Sequence, residues 1–67
     1  MYRTTIEPSP HQPDLYRVFV RGCMIGVIGQ TAGLYWASTV NGQALLDQTS
    51  FDVCDDWLLD QHVWGEQ

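Results

Sequence analysis

The stretch LYRVFVRGCMIGVIGQ, residues 15–30, alternates in its first half: Tyr16, Val18 and Val20 fall on one face, Arg17, Phe19 and Arg21 on the other. A period of two in β-branched and aromatic residues is the pattern of a half-buried strand. Gly22 offers a turn, and MIGVIGQ, residues 24–30, reads as the strand returning from it. Gly26 and Gly29 stand inside that return, where glycine marks a bulge or the close approach of another backbone. The unit is a hairpin, and the rest of the fold grows outward from it.

Upstream, YRTTIE at residues 2–7 alternates Tyr2, Thr4 and Ile6 against Arg3, Thr5 and Glu7 and predicts a strand at the sheet edge. Pro8, Pro10 and Pro13 then interrupt regular structure, since each lacks a backbone donor and restricts its predecessor, so residues 8–13 are expected to form a flexible loop. Downstream, Gly33 supplies a turn and LYWASTV, residues 34–40, the next strand. Asn41-Gly42 is a strong hairpin signal and leads into QALLDQ, residues 43–48. A two-residue loop there would set Trp36 opposite Asp47 and Ala37 opposite Leu46, which leaves open the face of this hairpin that is buried.

The last segment changes period. Thr49 or Ser50 stands at a helix N-cap, and Asp52, three residues after Thr49, completes an approximate capping box. The spacing predicts a helix over residues 50–63, ended by Gly65. At about 100° per residue, Phe51, Val53, Cys54, Trp57, Leu58 and Trp64 share a broad arc that reads as the core face. Asp52, Asp55, Asp56 and Asp60 gather on the opposite arc. The expected fold is α+β: one domain over residues 1–67, a small antiparallel meander of three to five strands with one C-terminal helix packed on one face.

A 67-residue chain buries only about 60% of the surface that its unfolded form exposes, so its stability is marginal and a large substrate cavity is not expected. Its apolar share of 45%, with three Trp, three Tyr and two Phe, is nevertheless that of a folding chain. Charge is its most distinctive property. Eight Asp and Glu face three arginines and no lysine, for a net charge of −5. Arg3, Arg17 and Arg21 all precede Gly22, and every side chain charged at neutral pH after that point is a carboxylate. Direct binding to a phosphate backbone or to an anionic membrane is therefore disfavoured. No signal-peptide pattern or membrane-length apolar run occurs, which points to a cytoplasmic protein whose Cys23 and Cys54 are reduced.

The residue patterns also point away from catalysis and from cofactors. The glycines form no G-x-G-x-x-G and meet no lysine. His11, Cys23, Cys54 and His62 are acceptable zinc ligands by type, but they are scattered without the close pairs of a structural zinc site. No calcium loop is present, and no nucleophile stands in a recognisable pattern. The paired carboxylates Asp56 and Asp60 would need a burial-raised acid and a cleft to act as acid and base. Neither is expected on the outside of a helix in so small a domain.

The aspartates of FDVCDDWLLD remain. Asp52 and Asp55 complement the helix dipole near its N-terminus. The column Asp52, Asp56, Asp60 instead contains two like-charge pairs at i, i+4, each destabilising by a few tenths of a kcal/mol, roughly, with no cation on the helix. Such a face keeps a small protein soluble. It also presents negative charges about 6 Å apart to a groove built for phosphates. With this Lys-free acidic body, the chain resembles the small acidic anti-CRISPR and antirestriction inhibitors of phages and mobile elements, several of which are DNA mimics. That resemblance implies a non-catalytic inhibitor of a basic nucleic-acid-binding protein, a nuclease or a CRISPR surveillance complex. It would act as a monomer in the bacterial cytoplasm, with no cofactor and no direct contact to nucleic acid. The carboxylates expected to meet the partner are Asp52, Asp55, Asp56, Asp60 and Glu66.

Three strands followed by a helix, with Trp36-Ala37 on a strand and Phe51-x-Val53 before the helix, are similar in fold to the sheet-type DNA-binding domains of plant ethylene-response factors and some phage integrases. Those domains read DNA with Arg and Trp on the sheet, a task for which this chain offers only Arg17 and Arg21, with Arg3. A competing expectation is a small structural or oligomerising subunit that uses an apolar patch around Phe19, Leu59 and Val63.

Overall fold

The computed structural model describes residues 3–65, arranged as a five-stranded antiparallel meander followed by one helix. The strands are β1 (Thr4–Pro8), β2 (Leu15–Val20), β3 (Cys23–Thr31), β4 (Leu34–Thr39) and β5 (Ala44–Gln48), paired in chain order, and the helix α1 is Phe51–Gly65. The expected α+β fold is the one observed.

Two of the turns follow from glycine. Arg21-Gly22 and Ala32-Gly33 each place two successive residues at positive φ, at 53° and 79° and at 53° and 81°. Two left-handed residues in a two-residue loop match the right-handed twist of the flanking strands. The Asn41-Gly42 hairpin also forms, but with a longer loop than the dipeptide suggests. Only Gly42 takes positive φ, at 97°, and Thr39 N–H donates to the Gln43 carbonyl at 2.8 Å around a three-residue loop. Ala37 consequently pairs with Leu45 and not with Leu46. The β4–β5 register then shifts between Tyr35 and Ala37, where Asp47 takes up the irregularity at φ 60°.

Register assigns the two faces of the sheet. Pro8, Tyr16, Ile28, Ala37 and Leu45 form one cross-strand row toward the helix, and Ile6, Val18, Gly26 and Thr39 form another. A bulge at Ile25, opposite the Val18–Phe19 step, brings Ile25 into the core as well. Val18, Val20, Ile25, Ile28, Ala37, Cys54 and Leu58 make that core, with Tyr35, Leu45, Phe51, Trp57 and Leu59 packed around it. Arg17, Phe19, Val27 and Trp36 lie on the face that the helix leaves uncovered.

Gly26 sets where the helix sits. A Cβ there would lie 2.6 Å from Leu58 Cδ2 and 2.4 Å from the Ser38 carbonyl oxygen, so its absence is what lets Leu58 reach the sheet. Phe51 anchors the first turn edge-on between Tyr16 and Tyr35, with ring centroids at 5.4 Å and 5.8 Å. These two contacts rotate the helix away from the expected arc. Val53 is 46% exposed and Trp64 66% exposed, so neither belongs to the core, while Leu59, expected outside it, packs against it. Apolar residues lie nearly all around this helix, and the notch at Gly26, not the hydrophobic pattern, selects the buried side.

Candidate docking face of the helix

Asp52, Asp56 and Asp60 are exposed and fall in one column, one helical turn apart, at a rise of about 6 Å per step. None of the three has an ion-pair partner among the described residues. Of the three arginines, Arg17 is on the open face of the sheet, 3.6 Å from Glu7 Oε1 and 5.8 Å from the centroid of Phe19, Arg21 is in the β2–β3 turn, and Arg3 is exposed beside Thr4 at the start of β1. The acidic column therefore faces solvent with no ion-pair partner among the described residues.

Asp55 does not belong to that column. It is half-buried, and its Oδ2 accepts a hydrogen bond from the Thr4 hydroxyl at 3.0 Å, while Oδ1 is buried without a partner. A carboxylate so engaged holds the helix to the edge strand and is not available for docking. Glu66, the fifth expected contact, lies outside the described residues.

Beside the column runs an apolar stripe that the sequence reading assigned to the core. Val53 and Trp64 are exposed and Trp57 is half-buried. On a helical projection all three fall within about 40° of one another, next to Asp60. The signal that would have found them was Gly26: assigning its gap to Leu58 fixes the rotation of the helix and sends Val53 and Trp64 outward.

The chemistry of the remaining candidates follows from their places. Cys23 and Cys54 are both free thiols. Cys54 is buried on the sheet-facing side of the helix, where loss of solvation pushes its thiol above the ordinary value of 9.0. Cys23 and His62 line one cleft of about 270 Å³, between the start of β3, the end of β4 and the last turns of α1. His11 lies in the loop before β2, so the four residues of the zinc reading are not gathered. Among the described residues no group of three or more His, Cys, Asp and Glu is placed to hold a metal ion. Among them, too, no helix is long and apolar enough to cross a membrane.

No family model, curated protein or solved structure matches this chain.

Proposed function

We propose that the protein is a non-catalytic acidic inhibitor that lays α1 on the nucleic-acid-binding surface of a basic host protein and blocks that surface by electrostatic mimicry. This is the mode of action of several of the anti-CRISPR and antirestriction proteins that it resembles, and it would operate in the cytoplasm of a bacterial host, with the monomer as the acting form. The observation that carries the reading is the column Asp52, Asp56, Asp60: three exposed carboxylates in register, on a helix anchored at Phe51 and Leu58, with no ion-pair partner among the described residues. Two like-charge i, i+4 pairs weaken the helix, and a docking function supplies the reason for keeping them.

The test is the double substitution Asp56→Asn and Asp60→Asn, assayed on a nucleic-acid-binding protein captured from bacterial lysate. Removing the repulsion makes the isolated domain slightly more stable, by a few tenths of a kcal/mol, roughly. Binding weakens in the same variant. Parent binding is salt-sensitive and competes with the captured protein's nucleic acid. Undiminished binding and inhibition by the double variant at physiological salt would sink the mimicry reading.

A second reading draws on the exposed Val53 and Trp64: a small subunit that docks or oligomerises through this apolar stripe. A concentration-dependent oligomer in sizing chromatography, dispersed by Trp64→Ser, would select it over the inhibitor.

A further inference from the structure

On the opposite side of the sheet from α1, residues 11–14 of the β1–β2 loop and the indole of Trp36 border an open groove of about 550 Å³. We propose that this groove is a docking site for an arginine side chain of a basic polypeptide. Both of its walls are already in place. The Nε1–Cε2–Cζ2 edge of Trp36 occupies the space above Gly29, where a Cβ would lie 2.2 Å from Cζ2. The indole N–H donates to Thr31 Oγ1 at 3.2 Å, which fixes the ring's orientation. Facing it, the loop is tied at three points: Ser9 N–H to the Leu15 carbonyl at 2.9 Å, Leu15 N–H to the Gln12 carbonyl at 3.1 Å, and Gln30 N–H to the Asp14 carbonyl at 3.3 Å. Pro10 and Pro13 add fixed φ angles to it.

The lining selects the occupant. Asp14 supplies a carboxylate, Gln12 and Gln30 supply side-chain amides, and Trp36 supplies the aromatic surface most favourable to a cation. His11 is the one basic side chain in the lining, which holds no lysine or arginine. Arg17, on the same face of the sheet, lies 3.6 Å from Glu7 Oε1 and over the Phe19 ring. An anionic ligand such as a nucleotide meets the Asp14 carboxylate in that lining, with His11 as the one basic group set against it. A planar guanidinium finds a ring to stack on, a carboxylate to pair with and amide oxygens to take its remaining N–H groups. The volume well exceeds one guanidinium, and Val27 and Pro13 offer apolar surface to the aliphatic stem, so the fitting ligand is an arginine carried on a chain. This site is independent of the acidic column on α1.

The experiment is a titration of the ¹⁵N-labelled protein with a blocked pentapeptide that carries one central arginine. The same peptide with citrulline, which keeps the shape and removes the charge, and AMP serve as controls. The arginine peptide is expected to shift the Trp36 indole N–H and the side-chain amides of Gln12 and Gln30, with affinity at least about fivefold above that of the citrulline peptide. Asp14→Asn, on an exposed loop, lowers that affinity by a similar factor with an unchanged Tm. Asp56→Asn with Asp60→Asn leaves it as it was, which separates this site from the docking face of the helix. Equal binding of the citrulline peptide, shifts confined to α1, or binding of AMP at Trp36 would each overturn the assignment.

Discussion

The hydroxyl of Thr4 donates to Asp55 Oδ2 at 3.0 Å across 51 positions of sequence, joining the first strand to the helix. The bond lies at the margin of the core, and the other carboxylate oxygen of Asp55 is buried without a partner. Thr4→Val keeps the shape of the side chain and removes the donor, which leaves a half-buried carboxylate with no protein partner. The expected cost is about 1–2 kcal/mol. For a domain of this size each kcal/mol lowers Tm by about 4–8 °C, so a thermal melt reads it directly. An unchanged Tm would mean that water serves Asp55 as well as Thr4 does.

Gly26 is the position least tolerant of a side chain. Its nearest neighbours would be the Ser38 carbonyl oxygen at 2.4 Å, in backbone, and Leu58 Cδ2 at 2.6 Å, in the core. Gly26→Ala is therefore expected to destabilise by about 1–3 kcal/mol by pushing the helix off the sheet. Urea denaturation compares it with Gly29→Ala, in which the nearest atoms to the new methyl group belong to the Trp36 side chain, at 2.2–2.8 Å, and not to backbone. The ranking fails if Gly29→Ala proves the costlier of the two.

Ala32 is held at φ 53°, in a turn where the following Gly33 is also left-handed. A residue with a Cβ pays for that conformation, and asparagine tolerates it better than alanine. Ala32→Asn should raise stability by about 0.5–1 kcal/mol with no change in the sheet. A lower denaturation midpoint would show that this turn is not the limiting strain.

The two thiols should behave differently toward Ellman's reagent. Cys23 is exposed and Cys54 buried, so the native protein should release one equivalent promptly and the second only in denaturant. Burial raises the Cys54 thiol above the ordinary 9.0, and the unfolded chain ionises there first. The unfolded state thus holds fewer protons than the native state above that pH, and stability falls as pH rises. The contribution is intact below pH 9.0 and is lost as pH climbs from there through the folded-state value. Cys54→Val should flatten this alkaline slope. An equal slope in that variant would assign it to other groups.

The fold was legible because its signals are local. Alternation in residues 15–21, the glycine turns at Gly22 and Gly33, and the change of period after Ser50 each depend on neighbours a few residues apart. The rotation of α1 depends on a residue of another element, Gly26, and apolar side chains nearly all around the helix gave no independent vote. Val53 and Trp64 were misplaced for that reason, and Leu59 with them. The length of the β4–β5 loop was hidden in the same way. Asn-Gly serves both two-residue and three-residue hairpins, and the choice rests on how Thr39 pairs with Gln43. The column Asp52, Asp56, Asp60 follows from helical spacing alone, whereas the engagement of Asp55, on the same acidic arc, depends on a partner 51 residues away.

The helix that closes the core follows all five strands along the chain. Until Leu58 reaches its notch at Gly26, the meander presents Val18, Ile28 and Ala37 to water from a sheet with nothing on either face. Isolated sheets of this kind are poorly stable and prone to pair through their edges. A nascent or truncated chain that stops short of Leu58 is therefore an aggregation-prone and protease-sensitive species. Completion of α1 is the step that turns a sticky ribbon into a cooperative domain.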